Sequence, residues 1–473
     1  MSDHQLPGAS YNESHSTGRD RFFTGSEDLL AAVDDPGTIL TSESRVTSPS
    51  DVLAEIRIRI GTLLKTENVA VLFGAGASKD CGGPLIGSIP IELERRLHQA
   101  AIRGSSRPTV RRWLPVFYLA AERSGNNVGA PLGRSAILRR VSDVEDDSAE
   151  PLKANLEAVL GLLHRWLAVM DGTCQWLRLE GAPPVNISRS ATADCIQHLT
   201  TALTKLCELP VPGKEACLST YSLFLRKILT RPLNLKRANI FTLNYDTLVE
   251  QAADGEGIVL LDGFVGTNRR IFRPECYDQD LYFPAETTEG RVHRFDRVLH
   301  LYKLHGSITW RAKQATIDNP YGVESERIDE ESATNVLVYP TPLKYAETLG
   351  MPYAELFRRF ASSIVRPQSA LFVIGYGFGD DHVNTIIRQA LALPSFTIVI
   401  VDPSPTSEFV AQLRSQDDRR VWIVEGMGIG TFNGFSTHIL PDLRDEDIRK
   451  KVHETQSALS RSRSNGPEVP DVE

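Results

Sequence analysis

From residue 51 onward, the apolar positions Val52, Ile56, Ile60 and Leu63 recur at helical spacing, with Asp51 standing where an N-cap would. The period then changes. Residues 69–73 form a continuous apolar, β-branched run closed by Gly74, Ala75 and Gly76, the pattern of a buried parallel strand feeding a tight turn. Runs of the same kind return at 239–243, 258–261, 298–304, 336–339, 370–374, 397–401 and 420–424. Helical stretches at 248–253 and 382–392 separate several of them. Strands alternating with helices predict an α/β fold, a Rossmann-like doubly wound parallel sheet. Between about 90 and 232 the pattern is mostly helical, as at Leu156, Leu160, Leu163 and Leu167 or at Tyr221, Leu225 and Ile228, with polar loops at 142–150 and 181–190. This block predicts a large helical insertion after the first βα unit, and it shows no internal repeat.

The two ends read differently. Residues 1–49 are rich in Ser, Thr, Asp and Gly, with apolar residues isolated except at 29–33, which predicts a mobile arm that docks locally. Residues 50–440 make the main unit. From 441 to 473 the pattern predicts a charged helix and then a disordered polar tail. A chain of 473 residues with 41% hydrophobic and 24% charged residues can bury a sizeable core, which excludes wholesale disorder and a single small module. The net charge of -8 argues against nucleic acid as the main ligand. Six cysteines, Cys81, Cys174, Cys195, Cys207, Cys217 and Cys276, include no C-x-x-C pair, which removes a zinc ribbon. Their scatter and the polar N-terminus fit reduced thiols in a cytosol. No apolar run reaches the roughly 20 residues of a membrane helix, so a cytoplasmic, soluble protein is expected.

Four motifs carry candidate chemistry, each at the end of an expected strand. Gly74-Ala75-Gly76-Ala77-Ser78 is either a plain tight turn or a site where backbone approaches a pyrophosphate, met by the N–H groups of the next helix start. In Asn244-Tyr245-Asp246 the two polar side chains would project into the crevice where open α/β sheets bind ligands; Asp246 could equally cap the helix after Thr247. In Leu304-His305-Gly306-Ser307 the imidazole titrates near neutrality and so can take a proton from a sugar hydroxyl or water. Gly375-Tyr376-Gly377-Phe378-Gly379-Asp380, with Asp402 ending the following strand, offers a phosphate or ribose cradle. The plainer alternatives are a loop capped by Asp380 or Asp381, and a turn residue before Pro403.

In this order, Gly-Ala-Gly-x-Ser, Asn-Tyr-Asp, Leu-His-Gly-Ser and Gly-Tyr-x-Phe resemble the sirtuin superfamily over residues 65–405, and within it the bacterial sirtuin-like proteins of antiphage defence. Deacylase sirtuins carry a four-cysteine zinc module and an Ile-Pro-x-Phe-Arg segment. Here the turn continues Cys81-Gly82-Gly83-Pro84-Leu85, which puts peptide deacylation in doubt. The resemblance implies cleavage of NAD, as substrate, to nicotinamide and ADP-ribose, with no zinc. It assigns Asn244 to water and ribose, Asp246 to the nicotinamide or cation side, and His305 to the ribose hydroxyls as base. Gly74, Ala75, Gly76 and Ser78 would hold the pyrophosphate, and Gly375, Tyr376 and Asp402 would face the adenosine half. The expected partners are further copies of the chain, through the insertion, and a HerA-like ATPase or another defence protein, because an ungated NAD hydrolase would kill its host. The alternative is an NAD or ADP-ribose sensor within a defence complex; a protein deacylase or ADP-ribosyltransferase is a more distant one.

Overall fold

The computed structural model describes residues 19–31, 49–85, 89–102, 111–124, 130–146, 148–150, 152, 156–170, 174–179, 185–284, 292–326, 336–338 and 352–444. Nine strands form its main sheet: β1 (Arg21–Thr24), β2 (Glu27–Asp28), β3 (Asn68–Phe73), β4 (Asn239–Thr242), β5 (Val259–Leu261), β6 (Val298–Lys303), β7 (Ser369–Ile374), β8 (Phe396–Val401) and β9 (Val421–Glu425). Their order is β2-β1-β9-β8-β7-β3-β4-β6-β5. Every pair from β9 through β5 is parallel. The chain runs outward from β3 on one side and later returns to build β7, β8 and β9 on the other. The topological switch point therefore lies between β3 and β7, where open α/β sheets hold their ligands.

Alternation along β3 shows why both faces are covered. Val69, Val71 and Phe73 face one core with Ile56 and Ile60 of α1 (Pro49–Leu64). Ala70 and Leu72 face the other. The helical block splits in two. Helices α2 (Ile89–Ile102), α3 (Leu114–Arg123), α4 (Arg134–Glu145), α5 (Leu156–Val169) and α6 (Arg189–Leu206) surround a core of their own. Helix α7 (Leu218–Ile228) instead packs Tyr221, Phe224 and Ile228 on the main sheet, beside Leu248 and Ala252 of α8 (Leu248–Glu256). The opposite face is covered by α9 (Tyr353–Ile364), α10 (Asp381–Leu391) and α11 (Glu408–Ser415). This is the expected Rossmann-like α/β architecture.

Several expectations need correction. Part of the N-terminal arm is an edge strand: β1 pairs antiparallel with β9, Phe22 is fully buried, and the Asp20 carboxylate accepts from the Gly428 and Ile429 amides. Four residues are too short a run to announce a strand. Val33 and residues 445–473, the expected tail, lie outside the described residues. The loop expected over 181–190 contains Val185–Ser188, which forms a hairpin with Trp176–Leu179. The strand expected at 336–339 is present at Val336–Val338, but it joins a second, antiparallel sheet with Gly306–Ala312, Val323–Ser325, Arg270–Phe272 and Phe264–Val265, and those four partners left no periodic signal. The cysteines are not all reduced thiols: Cys81 and Cys217 form a disulfide with Cα atoms 5.4 Å apart. A sequence separation of 136 hides such a pair until the sheet brings its ends together.

Candidate functional site

All four motifs stand at the carboxyl edge of the sheet, at the ends of β3, β4, β6 and β7, with Asp402 just past β8. Register fixes their mutual placement. Phe73 pairs with both Ile374 and Thr242, and Thr242 pairs with Lys303. The glycine loop, Asn244 and His305 thus begin within two residues of one row across the sheet.

The glycines of the first loop answer to the loop after β7. A Cβ at Gly74 would lie 2.6 Å from the Gly375 carbonyl oxygen, and one at Gly76 would lie 2.8 Å from the Gly375 Cα. Gly375 itself has φ +64, a left-handed conformation that glycine adopts without strain. The Gly74 amide donates to the Ile374 carbonyl and the Gly76 amide to that of Gly375, at 2.9 and 2.8 Å. Two of the amides expected to hold a pyrophosphate are therefore occupied by loop packing. Ala75 opens the short 3-10 helix Ala75–Cys81, which carries Ser78.

Ser78 is the centre of a buried hydrogen-bonded cluster. Its hydroxyl donates to Asp246 Oδ2 at 2.7 Å. It accepts from Asn244 Nδ2 at 3.0 Å, and the same amide donates to the Gly74 carbonyl at 2.9 Å. Since the single Ser78 proton goes to Asp246, the Tyr221 hydroxyl, 3.3 Å away, is left as a donor to Ser78. Asp246 also accepts from the Leu248 amide at 3.1 Å. Asp246 therefore holds the first amide of α8 with one oxygen and Ser78 with the other. Beneath it, the buried Lys303 ammonium donates to the Asp246 carbonyl and to Glu250 Oε1, the latter at 2.8 Å. Burial pushes the Glu250 carboxyl up and Lys303 opposes that.

His305 belongs to a second cluster. Its Nε2 lies 3.0 Å from Asp380 Oδ2. A carboxylate only accepts, so Nε2 carries the shared proton, and in the neutral ring Nδ1 is the basic atom. Asp380 also caps α10, its Oδ1 accepting from the His382 and Val383 amides at 2.9 and 3.3 Å. Tyr376 sits inside this loop. Its hydroxyl accepts from the Asp380 amide at 3.0 Å and faces Asn384 Oδ1 at 3.3 Å, so it braces Asp380 from within. Burial pushes its phenol well above the usual range. The rings of Tyr245 and His305 stand 6.4 Å apart and link the two clusters. Asp402 remains one strand further out, its Oδ1 accepting from the Ser404 amide at 2.8 Å and its carboxyl pushed up by burial.

Sequence reasoning gave no role to Tyr221 or Lys303, and it read Asp380 only as a cap. Tyr221 has no local signal, because its distance from Ser78 along the chain is 143 residues. The Lys303 and Asp380 signals were present, since a lysine inside an apolar strand or an acid three residues after a glycine turn needs a partner.

Comparison with known proteins finds a family match over the carboxyl-terminal part of the chain. The SIR2-like domain model matches residues 238–428, which run from the start of β4 past β9 and include Asn244, Asp246, His305, Gly375, Tyr376, Asp380 and Asp402. No curated protein matches the chain. Among solved structures, a Sir2 homolog in complex with NAD is similar at 11% identity, covering 82% of this chain and 94% of that one with a TM-score of 0.31.

Proposed function

We propose that the chain binds NAD at the carboxyl edge of β3, β4, β6 and β7 and hydrolyses it to nicotinamide and ADP-ribose. The observation that carries the reading is the joining of Ser78, Asn244 and Asp246 in one hydrogen-bonded cluster beside an aspartate-held His305, at the switch point of the sheet. The SIR2-like match over residues 238–428 supports it. Nicotinamide leaves as a neutral molecule from a cationic ring, so no general acid is needed, unlike ordinary glycoside hydrolysis. What remains is to orient a water, stabilise an oxocarbenium-like ribose and take up a proton. Asn244 suits the first task and His305 the last, through Nδ1. Asp246, with both oxygens already engaged, acts as a positioning residue that sets Ser78 and the Asn244 turn. Gly375 and Asp402 face the adenosine half. Gating by self-assembly or by a defence partner such as a HerA-like ATPase belongs to the same proposal.

The test is nicotinamide release beside calorimetric NAD affinity, with and without the product of the neighbouring gene. In His305→Ala and Asn244→Ala, turnover should fall about 10²- to 10⁴-fold with affinity changed far less. If the wild-type protein binds NAD but releases no nicotinamide with its partner present, the hydrolase reading fails and the sensor reading stands.

A further inference from the structure

The opposite edge of the sheet holds a cavity of about 570 Å³, between α9 and the amino-terminal ends of β4 and β6. It lies where Asn239, which opens β4, pairs with His300 in β6, five residues before Asn244 and His305 respectively. Its wall is strongly cationic: Lys236, Arg237, Arg294, Arg358, Arg359 and Arg366 line it against only Asp278 and Asp280. Both acids are already engaged. Asp280 is bridged by Arg237 and Arg294 at 2.7 and 2.6 Å, and Asp278 by Arg359 at 2.7 Å. Arg366 has no ion-pair partner among the described residues, and the Ser362 hydroxyl has no hydrogen bond among them.

A histidine also lines the cavity. His300 is only 9% exposed, lines the cavity, and neither of its ring nitrogens makes a hydrogen bond of good geometry. An imidazole buried in that state costs free energy, offset in part by the facing Gln279 backbone. Burial pulls the ring below the usual histidine range, with the facing Gln279 backbone and Asp280 opposing. As a neutral ring it offers one donor and one acceptor. The six cations share four acids, since Glu355 of α9 also holds Arg358 and Arg359 and Glu67 holds Lys236, so the wall keeps a net positive charge with Arg366 left over among the described residues.

We infer that this cavity binds a phosphorylated small molecule of mononucleotide size, its phosphates on Arg366 and Ser362 in the net positive field of the wall and its polar body beside His300. The volume falls within the range of small-molecule sites, and planar guanidinium forks match phosphate oxygens two at a time. Neither the proposed NAD reaction nor the SIR2-like resemblance requires this edge of the sheet, so the inference stands independently of that reading.

The experiment is thermal shift and calorimetry of the full chain with three probes, tripolyphosphate, AMP and ATP, in wild type, Arg366→Glu and Ser362→Ala, with NAD as competitor. The expected result is saturable stabilisation by ATP, with tripolyphosphate weaker because it lacks the polar body. Arg366→Glu should weaken ATP about tenfold or more, the loss of one charge-assisted contact. Saturating NAD, which occupies the carboxyl edge, should leave ATP affinity unchanged. Folding is controlled by the unliganded melting temperature, and Ser362→Ala, which disturbs no described contact, should weaken ATP without lowering it. Equal ATP affinity in wild type and Arg366→Glu would overturn the site. So would full displacement of ATP by NAD, because it places the nucleotide at the carboxyl edge.

Discussion

Asp380 performs two tasks that different substitutions separate. Its Oδ1 caps α10 and its Oδ2 holds His305. Asp380→Asn keeps a carbonyl oxygen for the cap but turns an N–H₂ toward Nε2, which favours the wrong tautomer and moves the basic nitrogen. The expected outcome is a melting temperature close to wild type, with nicotinamide release down about 10²-fold or more, read as kcat rather than KM. Asp380→Ala should lose the same activity and also about 1 kcal/mol of stability through the missing cap. Equal turnover for wild type and Asp380→Asn at every pH would show that His305 needs no such partner. Gly76 makes a second residue-scale case. A bulky side chain there reads, from the sequence, as a block to NAD binding. The structure puts the Gly375 backbone where that side chain would go, with a Cβ 2.8 Å from Cα. Gly76→Val should therefore lower the melting temperature, by a loss of about 1–3 kcal/mol typical of overpacking, whether or not NAD is present. A variant as stable as wild type that fails only in NAD binding would return Gly76 to a direct ligand role.

At the scale of elements, the insertion holds its helices together with a polar knot as well as with its apolar core. Glu94 and His98 of α2, Tyr118 of α3 and Arg140 of α4 are joined inside it. Tyr118 donates to Glu94 at 2.6 Å, its hydroxyl lies 2.6 Å from His98 Nε2, and Arg140 grips Glu94 with two bonds at 2.8 and 2.7 Å. His98 is fully buried, and burial pulls its pKa down to about 4, with Glu94 opposing and Arg140 reinforcing. An unfolded histidine titrates near 6.5, so between these values the unfolded chain binds more protons than the folded one. Stability is thus full at neutral pH and is lost as pH falls from about 6.5 toward 4, by up to about 3 kcal/mol from this group. The buried indoles of Trp113 and Trp166 share that core and report on it. Their emission should show acid loosening of the insertion in wild type, and His98→Gln should remove most of the pH dependence; identical acid profiles would assign the loss to another group. None of this was legible in the sequence beyond helical spacing, since Glu94 and Arg140 are 46 residues apart. The parallel strands were legible because each is a continuous apolar run buried on both faces. Of the second sheet only Val336–Val338 was legible, because strands of two or three residues such as Phe264–Val265 and Arg270–Phe272 carry too few positions to show a period.

At the scale of the whole molecule, the legible part of the site was its row of strand ends, and the illegible part was what reaches that row from elsewhere in the chain. Glycine turns and polar residues closing apolar runs announce where β3, β4, β6 and β7 end, and parallel pairing then gathers those ends on one edge. Tyr221, which touches Ser78, arrives from α7 beyond the whole insertion, and no local pattern could foretell it. The disulfide follows the same path. Cys81 ends the short helix that carries Ser78, and Cys217 precedes α7, which carries Tyr221, so the bond ties the two sides of that contact together. It also closes a loop of 136 residues that contains the insertion's helices. In the chain-entropy account a loop of that length stabilises the fold by up to about 5 kcal/mol, and native strain lowers the figure. Thiol titration of the oxidised, denatured chain should therefore find four free thiols, Cys174, Cys195, Cys207 and Cys276, rising to six after reduction. Cys217→Ser should melt at a lower temperature than wild type under oxidising conditions and at the same temperature when reductant is present. Because the bond joins the supports of Ser78 and Tyr221, its loss should also slow nicotinamide release more than the double variant Cys174→Ser, Cys276→Ser does. Six titratable thiols without reductant, in protein kept from any reducing step, would show that the two sulfurs meet without bonding and that the insertion is held by packing alone.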